Sequence, residues 1–206
     1  MAAGPGPPGR ALDPGGRVRI DANAAWDVDT AVRRIRALDS ASGGLEYAEQ
    51  PCVTLEELRA VRRRVDVPIA ADESIRRAED PLQVRLAGAA DIAVLKVGPL
   101  GGVRAALEIA ERCGLPVVVS SAVETSVGLA AGVALAAALP DLPYACGLAT
   151  VALLATDVVA QPLVPIDGAL PVRRPVPDLA LLTAVTPDAA TRGRWHARVT
   201  AVREMG

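Results

Sequence analysis

Phenylalanine is absent, and Trp26, Tyr47, Tyr144 and Trp195 are the only aromatic residues of the 206. A core without aromatic bulk must be filled with Ala, Val and Leu, in a chain that is 51% hydrophobic. Alternating strands and helices allow such a core. An excess of one charge is missing too. The net charge of −2 gives no sign of nucleic acid or an anionic membrane as partner. No uninterrupted apolar run reaches the roughly 20 residues of a membrane span. The nearest, 117–139, is broken by Ser120, Ser121, Glu124, Thr125, Ser126 and Gly128, and reads as strand, loop and helix. Cysteine is scarce. Cys52, Cys113 and Cys146 lie far apart without metal or redox spacing, and read as buried small side chains of a cytoplasmic protein. Residues 1–16 hold five Gly and four Pro and no apolar stretch like that of a secretion signal. A flexible linker is expected there.

From Arg17 onward one unit repeats: a short β-branched run ending in a polar residue, then a helical stretch. The runs are Val18–Asp21, Leu45–Glu49, Pro68–Asp72, Ile92–Lys96, Val117–Ser121 and Tyr144–Leu148. Helices are expected at Thr30–Leu38, Thr54–Val65, Gly101–Cys113 and Ala130–Ala138. Thr54 followed three residues on by Glu57 has the form of a capping box, and Gly114 that of a glycine closing a helix. The polar residues that end the first five runs, Asp21, Glu49, Asp72, Lys96 and Ser120, are spaced 28, 23, 24 and 24 apart. That period is right for βα units on a parallel sheet. The expected fold class is α/β: a partial TIM-type (β/α) barrel of about six of the eight units of a closed one, over residues 17–160. The proline-rich and then polar residues 161–206 are expected to form a tail packed on the barrel or on a second domain.

In a parallel barrel all the C-terminal strand ends share one face, where active sites form. Asp21, Glu49 and Asp72 are expected to converge there. At about 4 Å and an effective dielectric near 20, each carboxylate pair repels by about 4 kcal/mol. A divalent cation relieves that repulsion, and hard oxygen ligands suit Mg²⁺, with Mn²⁺ as substitute. Lys96 is the only lysine, against 21 arginines. Arginine does not give up its proton, whereas a desolvated lysine can exchange one. Lys96 is therefore a candidate catalytic residue. Gly98-Pro99-Leu100-Gly101-Gly102 reads either as an anion-holding helix start or as a glycine turn. The hydroxyls from Ser120 to Ser126 read either as a pocket lining or as ordinary loop residues. His196, the only histidine, reads as structural or exposed.

These residues resemble the enolase superfamily, in its muconate-lactonizing-like group. The matching segments are Asp21-Ala22-Asn23 with Trp26, Glu49-Gln50-Pro51, Ala71-Asp72-Glu73-Ser74, Leu95-Lys96, Ser120-Ser121-Ala122-Val123-Glu124-Thr125-Ser126-Val127-Gly128, and Cys146-Gly147-Leu148-Ala149-Thr150. The last two look like the o-succinylbenzoate synthases. The resemblance implies a lyase, a Mg²⁺-dependent syn dehydration of a small carboxylate, 2-succinyl-6-hydroxy-2,4-cyclohexadiene-1-carboxylate, in menaquinone biosynthesis. By the same resemblance Asp21, Glu49 and Asp72 hold the metal, and Asn23 and Glu73 stand behind them. Lys96 stabilises the enediolate, and Ser120, Ser121 and Gly147 shape the substrate pocket. Family members carry an N-terminal α+β capping domain and a Lys-x-Lys strand ahead of the Asp21 strand. Neither is found here, so the chain reads as a C-terminal portion, inactive alone for want of that lysine pair. Two alternatives stay open: an N-acylamino acid racemase or dipeptide epimerase on the same barrel, and a non-catalytic metal-binding remnant.

Overall fold

The computed structural model describes residues 16–77 and 82–204. The linker expected at the N-terminus lies, but for Gly16, outside the described residues. Five parallel strands pair in chain order: β1 (Val18–Asp21), β2 (Leu45–Glu49), β3 (Ile69–Ala71), β4 (Ile92–Lys96) and β5 (Val117–Ser120). Between them run α1 (Val28–Ser42), α2 (Leu55–Arg62), α3 (Glu73–Arg77), α4 (Leu82–Leu86) and α5 (Val103–Cys113), with α6 (Ser126–Ala138) after β5. A 3₁₀ turn at Thr150–Leu153, α7 (Leu179–Ala184) and α8 (Ala189–Glu204) complete the described chain. None of its helices is long and apolar enough to cross a membrane.

Local chemistry accounts for the helix ends. Asp27 caps α1 by accepting from Thr30 N–H, and Gly43 closes it at φ 79°. The Thr54–Glu57 capping box forms in full, and Gly114 closes α5 at φ 57°. α6 starts four residues earlier than its alanine run suggests. Its first N–H, on Ser126, donates to Asp157 Oδ1 at 3.1 Å, so the cap comes from 31 residues away.

Two strands are shorter than expected. Pro68 has no N–H to donate, and Asp72 already turns into α3 by accepting from Ile75 N–H, which leaves β3 three residues. The sixth run, Tyr144–Leu148, contributes one bridge, Gly147 to Ser120. Pro140 and Pro143 precede it, and the chain leaves at once for the 3₁₀ turn. Gly147 N–H donates to Val119 O and Ser121 N–H to Gly147 O. A Cβ on Gly147 would stand 2.9 Å from Ser120 Oγ, so only glycine sits easily this close to β5.

Strand alternation separates two faces. The outer face packs on the helices: Ile69 with Ile35, Leu58 and Val61 at one end, and Leu95 and Val119 with Leu129, Leu135 and Leu163 at the other. The inner face holds Tyr47, Ala70, Ile92, Val94, Val118 and Tyr144. The same alternation carries Asp21, Glu49, Asp72, Lys96 and Ser120 to the inner face at the C-terminal strand ends. Lower inside the curl, Arg19 ties the first strand to the sixth run. It donates to Ala145 O at 2.7 Å, pairs with Glu46 at 2.5 Å and lies over the Tyr47 ring, 4.8 Å from its centre. Tyr47 meets Tyr144 edge to face at 5.8 Å. We predict that Arg19→Met lowers unfolding stability by about 2 kcal/mol, read from the urea midpoint. An unmoved midpoint would show that this clasp carries no weight.

Candidate active site

Parallel pairing puts Asp21 opposite Glu49 and Lys96 opposite Ser120. Asp72 follows β3 directly, and Glu73 opens α3. Each of these five charged groups is placed by where its strand stops, and the neighbouring polar groups hold them. Asn23 grips Asp21 through its N–H (2.8 Å to Oδ1) and its amide (2.7 Å to Oδ2). Asp72 is 2% exposed and pairs with the Lys96 ammonium. Gln50, fully buried, accepts from Asp72 N–H at 3.0 Å.

Four carboxyl groups thus share this end of the sheet with one ammonium. Burial first, and then the charges of Asp21, Asp72 and Glu73, together lift the Glu49 carboxyl from its ordinary 4.5 to about 7 against the pull of Lys96. Burial works against the charge of Lys96, but the hydrogen bond and charge of Asp72, with Glu49 and Glu73 behind it, outweigh burial and raise its pKa. Lys96 is therefore an ammonium at neutral pH. It can stabilise negative charge, and it has no free pair with which to take a proton.

Among the described residues no three Asp, Glu, His or Cys groups close into a metal shell. Asp21, Glu49 and Asp72 share one face and feel each other's charge, while Asp72 turns to Lys96 and Asp21 to Asn23. In chemistry the donors fit a hard divalent cation. They are carboxylate oxygens from three adjacent strand ends, and burial together with their like charge holds one of them half protonated near neutrality.

The other candidates divide. Ser120 shares the inner face with Lys96. Ser121 is buried; its hydroxyl donates to Gly147 O at 3.0 Å and meets the Thr150 hydroxyl at 2.7 Å, so it joins β5 to the sixth run. The Gly98–Gly102 stretch is a turn and no anion cradle. Its Leu100, Gly101 and Gly102 N–H groups donate to Lys96 O, Gly98 O and Val97 O. Burial pushes the Cys52 thiol up to about 11 and the half-buried Cys146 thiol upward too, as suits structural cysteines. His196 lies on exposed α8. Sequence reasoning passed over Gln50 and Asp157. For Gln50 a signal existed: an amide between a strand-ending carboxylate and Pro51.

Residues 9–178 match the family described as enolase C-terminal domain-like. The chain belongs to that family. It is 69% identical over 193 residues to an o-succinylbenzoate synthase of Thermobifida fusca (strain YX), covering 94% of this chain and 59% of that one. The chain thus spans well under two thirds of that relative's length. Among solved structures, the muconate lactonizing enzyme of Pseudomonas putida is 30% identical, with a TM-score of 0.76 over 85% of this chain and 51% of that one. The L-Ala-D/L-Glu epimerase of Bacillus subtilis is 33% identical, with a TM-score of 0.64 over 69% of this chain and 41% of that one. These family members fix the fold as part of an α/β barrel of the muconate-lactonizing type.

The displaced Glu49 pKa makes a prediction. A folded value of about 7 above an ordinary 4.5 means that folding favours the protonated acid. That contribution is fully present below pH 4.5 and is lost as pH rises through about 7. Glu49→Gln keeps the neutral shape and has no proton to lose. With chelator present it should match wild type near pH 4.5 and exceed it near pH 8 by on the order of 3 kcal/mol. Urea unfolding at both pH values checks this; parallel pH profiles for the two proteins would refute it.

Proposed function

We propose that the chain is the barrel portion of an o-succinylbenzoate synthase. In this reading it dehydrates 2-succinyl-6-hydroxy-2,4-cyclohexadiene-1-carboxylate to 2-succinylbenzoate, with Mg²⁺ or Mn²⁺, in cytoplasmic menaquinone biosynthesis. The observation that carries it is the 69% identity to the Thermobifida synthase, set on a strand-end cluster with the charge pattern such a reaction needs. The epimerase reading has likenesses to solved structures at 31% and 33% identity behind it.

The chain's own residues have defined tasks. Asp21, Glu49 and Asp72 would hold the cation, with Asn23 orienting Asp21 and the Glu73 charge adding to the anionic field. A bound divalent cation supplies neutralising charge where the substrate carboxylate becomes an enediolate. Lys96 presents a fixed ammonium to the same developing charge; removing one such donor typically costs about 10²–10³ in kcat. Ser120, in register with Lys96, and Gly147, bridged to it, would shape the succinyl end of a pocket. Ser121 supports them from behind. Proton removal from carbon needs a base as well. The only lysine stays charged against Asp72, and the only histidine is on α8.

Two outcomes follow. With Mg²⁺, the 206-residue chain should consume the synthase substrate about 10²–10⁴-fold more slowly than the Thermobifida relative, the usual worth of a general base. Lys96→Ala should remove most of what remains. Loss of substrate absorbance measures both. Turnover equal to that relative would overturn the role given to Lys96. Racemisation of N-acylamino acids in place of dehydration would overturn the synthase reading.

A further inference from the structure

We infer that Gln50 is a positioning residue, one that sets the spacing of the three carboxylate-bearing strand ends and so their fitness to share one divalent cation. The inference builds on the cation reading above and concerns what holds the ligands.

Gln50 stands directly after Glu49 and is fully buried. A buried amide has two donor and two acceptor positions to satisfy, and here all four are used. Its Oε1 accepts from Asp72 N–H at 3.0 Å and Ser74 N–H at 3.2 Å. Its Nε2 donates to Cys52 O at 2.9 Å and Ser74 Oγ at 2.7 Å. Its backbone extends the net: its N–H donates to Ala70 O at 2.8 Å, and its carbonyl accepts from Ala24 N–H at 2.7 Å. Ala24 lies with Asn23 in the turn that follows Asp21. One residue therefore bonds the loop after β1, follows the last residue of β2, and holds the end of β3 with the first turn of α3. Those are the segments that bear Asp21, Glu49, Asp72 and Glu73.

The backbone supports a positional role. Gln50 lies at φ 34°, where a non-glycine residue is strained. A packing role alone does not require this conformation. From this conformation the Gln50 side chain reaches across to the backbone of Asp72. The two donors aimed at oxygens and the one acceptor shared by two N–H groups also make the site specific to an amide. A carboxylate would face Cys52 O without a donor, and an apolar side chain would leave two buried N–H groups unsatisfied.

A group that orients metal ligands from behind typically changes cation affinity by about 10- to 100-fold when removed. The test titrates Mn²⁺ alone into the 206-residue chain and its variants and follows the free Mn²⁺ by its paramagnetic resonance signal. Circular dichroism reports folding. Gln50→Met keeps the volume and loses the four side-chain bonds; it should stay folded and bind Mn²⁺ about 10- to 100-fold more weakly. Ser126→Ala is the control. It removes an equally buried hydroxyl that meets Asp157 and Leu163 N–H, far from strands β1–β3, and should lose stability but keep wild-type affinity. Should Gln50→Met fail to fold, Ser74→Ala, which strips one partner from Nε2, decides; it should weaken binding about 10-fold. Wild-type affinity in folded Gln50→Met, or in Ser74→Ala where that variant decides, overturns the inference. An equal loss in Ser126→Ala overturns it too, because general instability would then explain the effect. Absence of Mn²⁺ binding by the wild-type chain removes the cation reading itself, a result distinct from the others.

Discussion

Parallel pairing forces like charges together. Strands that run the same way deliver Asp21, Glu49 and, two residues beyond the register partner of Glu49, Asp72 to one end of the inner face, and α3 adds Glu73 beside them. Around this crowding the local structure is arranged. Glu49 answers by holding its proton up to about pH 7, Asp72 by pairing with Lys96, and Asp21 by accepting two bonds from Asn23. Lys96 in turn keeps its charge in a half-buried place because acids surround it. Such a cluster costs stability by itself. Its value is chemical: it is a field that favours a cation and an ammonium beside a developing negative charge.

Much of this was legible because it is periodic or local. Alternation along each strand and a βα repeat of 23 to 28 residues put the charged residues at strand ends and on one face. The Thr54–Glu57 cap and the Gly114 stop depend on residues within one helical turn. Lys96 stood out by composition, as the one lysine in a chain that otherwise uses arginine. Each of these signals survives without knowledge of what lies across the fold.

What was illegible depends on partners distant in sequence. The start of α6 is set by Asp157, 31 residues on, and nothing near Ser126 announces it. Two short helices, α3 and α4, follow β3, where no helix bounds were expected, and Glu73 starts the first of them without a loop. The sixth run has the composition of a strand but only one bridging residue, since Gly147 alone approaches β5 closely enough. Ser121 looks the equal of Ser120 in sequence. The period-2 alternation that places one on the inner face necessarily turns the other outward, toward Thr150.

The backbone shows independently where these demands concentrate. Among the described residues five that are not glycine have positive φ: Asn23, Ala24, Gln50, Val123 and Asp167. The last is in the Ile166–Ala169 turn. The other four follow β1, β2 and β5, all on the face that carries the charged cluster. Residues in this region cost on the order of 1–3 kcal/mol each and persist only where their surroundings over-determine them. Asn23 and Gln50 show what does so here, since each spends its side chain on the aspartate of a strand end. Asn23 bonds the carboxylate of Asp21, and Gln50 the backbone N–H of Asp72. Strain and side-chain hydrogen bonding are thus coupled: the unusual backbone aims the amide, and the amide's bonds hold the backbone there. That coupling explains why two uncharged amides, neither of which has any acid–base chemistry, occupy the positions from which the acidic residues are held in place.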